Sequence, residues 1–156
     1  MKDSRSFCGI KRYDFILCAI LVLVDRASKW HIVESFSIGE SREVIPRVLS
    51  LTFVANKGAA FGLMPRQSGF FAVMATVVAA ALACFLAIRA NRLKPIELFA
   101  VVLILAGTTG NLWDRIRVGF IIDFIDLGFW PVFNFADAFI TTGAVLLMGR
   151  IALKGR

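Results

Sequence analysis

The sequence predicts an all-α integral membrane protein with four transmembrane helices and a small extracytoplasmic β element between helices one and two. The first observation is composition, since 58% of the 156 residues are hydrophobic, against about 45–50% in soluble domains. The mean hydropathy is +0.77, and only 19% of the residues are charged. A larger core cannot absorb this excess in so short a chain, so most of the surface is expected to contact lipid. The second observation is that the excess lies in four long apolar runs.

Each of the four runs is close to the length that crosses the hydrocarbon core, which takes about 20 helical residues. Residues 69–88 carry no charge, and residues 96–113 carry only Glu97, which suits the positive end of a helix dipole. Residues 15–33 and 133–149 also contain charged residues, in the outer half of the first run and the first turn of the last. A cleaved signal peptide is the alternative for the first run, but no small-x-small cleavage site follows it.

Basic residues flank the apolar runs and set the predicted orientation. The three groups are Lys2, Arg5, Lys11 and Arg12; Arg89, Arg92 and Lys94; and Arg150, Lys154 and Arg156. Because cytoplasmic segments are enriched in lysine and arginine, both termini are expected in the cytoplasm, within a single membrane-embedded domain over residues 1–156. The three tryptophans, Trp30, Trp113 and Trp130, then fall at the outer interface, where aromatic belts form.

The outer segment 34–68 contains a strand pattern. Residues 49–53, with the sequence Leu-Ser-Leu-Thr-Phe, alternate between apolar and polar, which is the period of a half-buried strand. The tripeptide Asn56-Lys57-Gly58 follows as a turn signal. We therefore expect a small β element on the outer membrane surface.

Ionisable residues at membrane depth are costly and mark candidate functional sites. The candidates are Asp25, Arg26, Lys29, Asp114, Arg115, Asp123, Asp126 and Asp137, joined by Asn56, Asn111 and Asn134. On the predicted topology all of them lie at or near the outer interface. The inner half of the bundle contains no comparable group of residues, so the chemistry is expected on one side of the membrane.

Several of these residues also have a purely structural interpretation. The alternatives are an i,i+4 ion pair for Asp25 and Lys29, a local pair ending the third helix for Asp114 and Arg115, a helix cap for Asn134 and Asp137, and a loop position for Asp126. Asp123 has no such explanation, because it interrupts the apolar stretch Phe120–Ile125.

Elimination leaves an aspartate pair as the expected chemistry. His31 is the only histidine, so histidine-based metal sites and relays lack partners, and we expect no metal and no cofactor. A Ser28/Lys29 pair is a weaker alternative, because adjacent helical residues point about 100° apart. Asp123 and Asp137 can reach one depth, where two close carboxylates share a proton and act as acid and base. Despite the net charge of +7, no basic patch with interleaved aromatics is present, and no nucleic-acid partner is expected.

Four stretches resemble motifs of one family, the bacterial lipoprotein signal peptidases (signal peptidase II), and the resemblance extends over essentially the whole chain. The stretches are Asp25-Arg26-Ala27-Ser28-Lys29; Asn56-Lys57-Gly58-Ala59-Ala60-Phe61-Gly62; Gly107–Arg115 with Gly110-Asn111-Leu112-Trp113-Asp114-Arg115; and Val118–Phe124 together with Phe133-Asn134-Phe135-Ala136-Asp137. Two departures are Arg26, where glutamine is common, and Thr108-Thr109, where smaller residues are usual.

The resemblance implies an intramembrane aspartic endopeptidase of the bacterial plasma membrane, with its active site on the extracytoplasmic side. It would remove the signal peptide of diacylglyceryl-modified prolipoproteins, with membrane lipids as its surroundings, and act as a monomer. It implies Asp123 and Asp137 as the catalytic pair. The supporting or substrate-binding positions would be Asp25, Lys29, Asn56, Gly58, Asn111, Asp114, Arg115 and Asn134.

A small four-helix proton-coupled exporter is the alternative function from another class. Transport requires an ionisable group near the midplane that both sides can reach. The predicted charges instead stop at one interface, which favours the peptidase.

Overall fold

The computed structural model describes residues 12–58 and 68–154. In chain order the elements are α1 (Arg12–Ser35), β1 (Ser41–Ile45), β2 (Leu49–Asn56), α2 (Ser68–Arg89), α3 (Pro95–Arg117), β3 (Ile121–Asp126) and α4 (Phe135–Lys154). A short 3-10 turn, Ala90–Arg92, joins α2 to α3. The basic residues Lys2, Arg5, Lys11 and Arg156 and the motif residues 59–62 lie outside the described residues.

The described part of the chain contains three helices that are long and apolar enough to cross a membrane, Gly69–Arg92, Pro95–Arg117 and Phe135–Leu153. The first helix has 24 residues, but its second half carries four charged side chains, Asp25, Arg26, Lys29 and Glu34. All four predicted runs are helical. The third helix extends one turn beyond its predicted end at residue 113 because Asp114 is paired inside the bundle, and the last begins two residues later than predicted, after its cap.

Helix α3 lies at the centre of the bundle and packs against α1, α2 and α4. Its most apolar stretch is 61% buried, against 6% for α2 and 11% for α4. Glycines bring α3 and α4 into close contact, since a Cβ on Gly107 would collide with the carbonyl oxygen of Ala136. A Cβ on Gly143 would lie 2.6 Å from the carbonyl oxygen of Ala100. Small residues that let backbones approach are the usual basis of helix packing in membranes.

Glu97 stabilises the start of α3, as the sequence predicts. Glu97 accepts a hydrogen bond from the backbone N–H of Lys94 at 2.9 Å. The same carboxylate pairs with Arg150 of α4 at 3.4 Å. Glu97 therefore has a structural role at the end of the bundle opposite the sheet.

The sheet is larger than the predicted β element. Strands β1, β2 and β3 form an antiparallel sheet in that order, and Val54 of β2 pairs with Asp123 of β3. The strand prediction for residues 49–53 is confirmed by β2, which continues to Asn56. Strand β3 was not predicted, because its first four residues are all buried and show no alternation. Phe53, Ile122 and Phe124 of the sheet pack against Ile32 of α1 and against Phe36, the residue that follows this helix. This contact joins the sheet to the bundle.

Candidate active site

Asp123 and Asp137 line the same cavity, which has a volume of about 500 Å³. Asp123 lies in the middle of β3, and Asp137 lies in the first turn of α4. The isolated bridge between Ile125 and Phe133 folds the intervening loop back onto the sheet. The strand and the start of the helix are thereby held side by side, with one carboxylate from each facing the cavity.

Two asparagine amides hold the Asp123 carboxylate. Asn56, at the end of β2, donates its Nδ2 to Oδ2 of Asp123 at 2.9 Å. Asn134 donates its Nδ2 to Oδ1 of Asp123 at 2.7 Å. Asp123 is 2% exposed, so hydrogen bonds from these two protein groups fix the positions of both carboxylate oxygens.

Asp137 is held by a third asparagine and by the helix cap. Asn111 of α3 donates its Nδ2 to Oδ1 of Asp137 at 2.7 Å. The side chain of Asn134 accepts from the backbone N–H of Asp137 at 2.9 Å, and the N–H of Asn134 reaches back to Oδ2 of Asp137 at 3.4 Å. This reciprocal pattern is a capping box. The predicted cap is therefore present, and its asparagine also contacts the other aspartate.

Burial raises the pKa of Asp123 from an ordinary 3.8 to about 7. The hydrogen bond from Asn56 acts in the opposite direction, and the negative charge of Asp137 raises the pKa further. A carboxyl group with a pKa near 7 can hold a proton at neutral pH. Such a group is suited to act as a general acid.

A buried cluster of charges lies behind the aspartates. The Nζ of Lys29 lies 2.9 Å from Oδ2 of Asp25 and 2.8 Å from Oδ2 of Asp114. It also donates to Oδ1 of Asn111 at 2.9 Å. Arg26 forms a second ion pair with Asp114. Two cations and two carboxylates thus balance one another, as buried charges require.

Asp25 joins this cluster to the start of α4. Its Oδ1 accepts a hydrogen bond from the backbone N–H of Ala136 at 3.0 Å. Gly110 of α3 leaves the space for this contact, since a Cβ there would lie 2.5 Å from Oδ2 of Asp25. Helices α1, α3 and α4 therefore converge at the residues next to Asp137.

The remaining cavity wall is mostly apolar. Besides the two aspartates and their partners Asn56 and Asn111, the wall comprises Gly58, Phe71, Met74, Ala75, Val78, Thr108, Arg115, Ile121, Trp130, Pro131, Val132, Phe133 and Ile140. Arg115 lies over the ring of Phe71 at 5.6 Å. The N–H of Gly58 donates to Oδ1 of Asn56 at 3.2 Å, which orients that amide and confirms the predicted turn.

The structure corrects two of the structural interpretations. Asp114 pairs with Lys29 and Arg26 of α1 rather than with its neighbour Arg115, because its side chain is fully buried between the helices. Asp126 is the last residue of β3 rather than a loop residue, and it accepts a hydrogen bond from the hydroxyl of Thr52 at 2.9 Å. The predicted i,i+4 pair of Asp25 and Lys29 is confirmed.

Sequence reasoning missed two contributors to the site. Thr108 lines the cavity, although in the sequence it stands out only as a departure from a motif. The carbonyl of Ile122 accepts from Nδ2 of Asn134 at 3.2 Å, a backbone contact with no sequence signal. Within residues 12–58 and 68–154, no group of three or more histidine, cysteine, aspartate and glutamate residues could hold a metal ion.

Comparison with known proteins identifies close relatives of the chain. A family model described as signal peptidase (SPase) II matches residues 17–153. A lipoprotein signal peptidase of Syntrophomonas wolfei is 45% identical over 137 residues, covering 88% of this chain and 91% of the relative. The lipoprotein signal peptidase of Pelotomaculum thermopropionicum is 42% identical over 134 residues, covering 85% of this chain and 87% of that protein.

Two solved structures, each described as a bacterial membrane enzyme, share the fold. One, determined at 2.3 Å, has a TM-score of 0.84 at 32% sequence identity and covers 94% of this chain and 90% of its own. The other, at 1.9 Å, has a TM-score of 0.81 at 33% identity and covers 93% and 94% of the two chains. The similarity therefore includes the sheet as well as the helices.

Proposed function

The chain belongs to the signal peptidase II family and is an aspartic peptidase that cleaves the signal peptides of lipoproteins, and we propose that Asp123 and Asp137 are its catalytic pair. One observation carries the proposal. The two carboxylates line one cavity, and Asn134 donates its side-chain amide to the Asp123 carboxylate at 2.7 Å and its backbone N–H to the Asp137 carboxylate at 3.4 Å. An aspartate pair that shares one proton supplies the acid and the base that peptide hydrolysis requires.

The two aspartates have different roles in this proposal. Asp137, as the base, removes a proton from a water molecule that attacks the scissile carbonyl carbon, while Asp123, as the acid, gives its proton to the carbonyl oxygen. The resulting diol collapses and the C–N bond breaks. Asp137 then gives its proton to the leaving amine, and a diol hydroxyl returns a proton to Asp123. The raised pKa of Asp123 supports its assignment as the acid.

The asparagines and the charge cluster support the pair. Asn56, Asn111 and Asn134 fix the carboxylates by hydrogen bonds of 2.7–2.9 Å. Asp25, Lys29 and Asp114 hold Asn111 and the start of α4 in place. Gly58 and Arg115 line the cavity next to the aspartates, where they can contact the substrate.

Helix α1 is the fourth transmembrane helix in this proposal. Its 24 residues span about 36 Å at 1.5 Å per residue, enough to cross a bilayer. Asp25 and Lys29 are fully buried against α3. Phe15, Ile20 and Leu23 are exposed on the outside of the bundle, where they can contact lipid. Two of the charges that lower the mean hydropathy of α1, Asp25 and Lys29, are therefore turned inward.

The described basic residues support the proposed orientation. Arg89, Arg92 and Arg150 lie at the end of the bundle opposite the aspartates, near the start of α3. Because lysine and arginine are enriched on the cytoplasmic side, that end and both termini are placed in the cytoplasm. The active site then opens on the extracytoplasmic side of the bacterial plasma membrane.

The substrate is proposed to be a prolipoprotein whose cysteine carries a diacylglyceryl group. The cavity wall includes Phe71, Met74 and Val78 of α2, a helix whose apolar face is exposed to the surroundings of the bundle. Acyl chains can remain in the bilayer beside this wall while the peptide reaches the aspartates. Each buried methylene contributes about 0.8 kcal/mol, so the lipid group supplies much of the affinity. One chain provides both aspartates, which supports action as a monomer.

The test is cleavage of a lipid-modified prolipoprotein by the purified full chain in detergent, followed as a shift in size. Asp123→Asn and Asp137→Asn are expected to lower the rate by several orders of magnitude. Asp126→Asn is the matched control, because Asp126 belongs to the same strand as Asp123 and lies outside the cavity. Near-parental turnover by either cavity variant would refute the catalytic pair.

Two further arms test the substrate and the chemistry. The unmodified prolipoprotein should be cleaved poorly by the parent protein, and equal rates for the two substrates would refute the role of the lipid. A chelator should leave the rate unchanged, and clear inhibition by EDTA would argue for a metal-dependent reaction.

A further inference from the structure

A second open space lies between α1 and α3, and neither the reaction nor the substrate uses it. This groove has a volume of about 840 Å³ and is bounded by Arg26 and Trp30 of α1 and Trp113 and Arg117 of α3. Asn111 and Arg115 of the same helix line the active-site cavity instead. A separation of two residues turns about 200° around a helix, so the groove and the cavity occupy opposite sides of α3.

The groove combines positive charge with aromatic rings. The guanidinium groups of Arg26 and Arg117 lie over the Trp113 ring at 5.8 Å and 5.7 Å. Arg26 is paired with Asp114. Arg117 is exposed, and it forms no ion pair with any carboxylate of the described residues. The groove therefore presents a cation without a counter-ion beside a second, partly exposed cation.

The groove is apolar on the side that faces the middle of the bundle. Val22 and Leu23 lie one turn from Arg26 toward the centre of α1, and the Leu23 side chain is 65% exposed. Trp30 and Trp113 are also exposed, at 65% and 49%. Tryptophan is typical of the depth at which lipid headgroups meet acyl chains. Arg26 and Arg117 lie at this depth, and Val22 and Leu23 lie closer to the middle of the bundle.

We propose that this groove binds an anionic glycerophospholipid, with the headgroup phosphate between Arg26 and Arg117 and an acyl chain along Val22 and Leu23. A guanidinium binds phosphate oxygens through charge-assisted hydrogen bonds, and basic pockets between membrane helices bind anionic headgroups. Along α1, Arg26 precedes Leu23 and Val22 in the direction toward the middle of the bundle, just as the phosphate of a lipid precedes its acyl chains. Because Arg26 also binds Asp114, the bound lipid contacts the charge cluster behind the active site.

The binding test uses the fluorescence of Trp113 in the full chain carrying Trp30→Phe and Trp130→Phe. Phosphatidylglycerol with brominated acyl chains is added to the protein in detergent micelles, and bromine quenches a tryptophan that it contacts. Saturable quenching is expected. Arg117→Gln should weaken the apparent affinity about tenfold, the effect of losing one charge-assisted hydrogen bond, while Arg117→Lys should retain most of it.

Control variants and lipids separate the contributions of phosphate, charge and chain. Arg92→Gln, at the opposite end of the bundle, should leave quenching unchanged. Brominated diacylglycerol and phosphatidylcholine should quench at least several-fold more weakly than phosphatidylglycerol, and glycerol phosphate should not compete. Equal quenching by diacylglycerol or phosphatidylcholine, competition by glycerol phosphate at equal concentration, or unchanged affinity in Arg117→Gln would each overturn the proposal.

Discussion

Lys29 directs the nitrogen end of the Asn111 amide toward Asp137. Its Nζ donates to Oδ1 of Asn111 at 2.9 Å, Nδ2 of Asn134 donates to the same oxygen at 3.1 Å, and Nδ2 of Asn111 is therefore directed to Oδ1 of Asp137 at 2.7 Å. An amide oxygen accepts hydrogen bonds and an amide nitrogen donates them, which makes this orientation the only one that satisfies these partners. Lys29 thus acts on the proposed base through Asn111.

Replacing Lys29 with methionine should lower both stability and activity. The change leaves Asp25 and Asp114 with one cation instead of two, and breaking a buried ion pair typically costs about 3–5 kcal/mol. Unfolding in detergent measures the loss. In Lys29→Met/Asp25→Asn the remaining pair of Arg26 and Asp114 is balanced, so stability should largely return. Cleavage should stay low in the double variant. If stability and cleavage both recover, Lys29 acts only by balancing the charge of the two carboxylates.

Asn56→Asp should slow cleavage and move the pH optimum upward. The new carboxylate would lie beside Oδ2 of Asp123, where Asn56 now donates at 2.9 Å. Losing that donor and adding a negative charge both raise the pKa of Asp123. Loss of one positioned hydrogen bond costs about 1–3 kcal/mol, or roughly 5- to 150-fold in rate. A pH–rate profile measures both effects.

Two comparisons separate this effect from a general defect. Asn56→Gly removes the donor without adding charge, so it should shift the optimum less than Asn56→Asp does. Asn91→Asp, in the exposed turn between α2 and α3, is the matched control and should behave as the parent. If both Asn56 variants keep the parental rate and optimum, Asn56 is only a turn residue.

The raised pKa of Asp123 predicts how stability depends on pH. Its folded-state value of about 7 lies above the ordinary 3.8, so the folded protein binds this proton more tightly than the unfolded chain. The resulting stabilisation is complete below about pH 4 and is lost as the pH rises through about 7. Asp123→Asn should lack this dependence and melt a few degrees above the parent at pH 8. A parent whose melting temperature is the same at pH 5 and pH 8 would contradict the raised value.

Gly107→Ala should disrupt the site from a distance. Its Cβ would collide with the carbonyl oxygen of Ala136, next to Asp137. Because backbone cannot give way as a side chain can, α3 and α4 must separate, at a typical cost of about 1–3 kcal/mol. Both the melting temperature and the cleavage rate should fall. Gly149→Ala in α4 is the control, since no atom lies within 4 Å of its added Cβ, and it should be neutral or slightly stabilising.

The sequence predicts the contacts within one helix of the site better than the contacts between distant segments. Asp25 with Lys29 and Asn134 with Asp137 are recognisable because each pair is formed within one helix or its cap, where spacing determines contact. The pairing of Asn56 with Asp123 depends on the register of two strands, one of which has no alternating pattern. Register between distant strands is a tertiary property, so this contact could not be derived from spacing.

The same distinction explains the errors at Asp114 and Asp126. The sequence neighbours of each residue allow a local explanation, which the structure shows to be wrong. The structure pairs Asp114 with α1 and Asp126 with Thr52 of β2, both far away in the chain. The partner of a buried polar group depends on which elements pack together, and local sequence carries little of that information.

The hydrogen bonds from Asn111 to Asp137 and from Asn56 to Asp123 join residues 26 and 67 positions apart, and both require β3 or the start of α4. During synthesis the chain emerges from its N-terminus, so α1, the first two strands and α2 reach the membrane before either aspartate has its partners. With the proposed catalytic pair, proteolytic competence is therefore the last property that the nascent protein acquires. A ribosome-bound chain that has not released α4 should then be inert, so that the translocation machinery that inserts it is not exposed to an active protease.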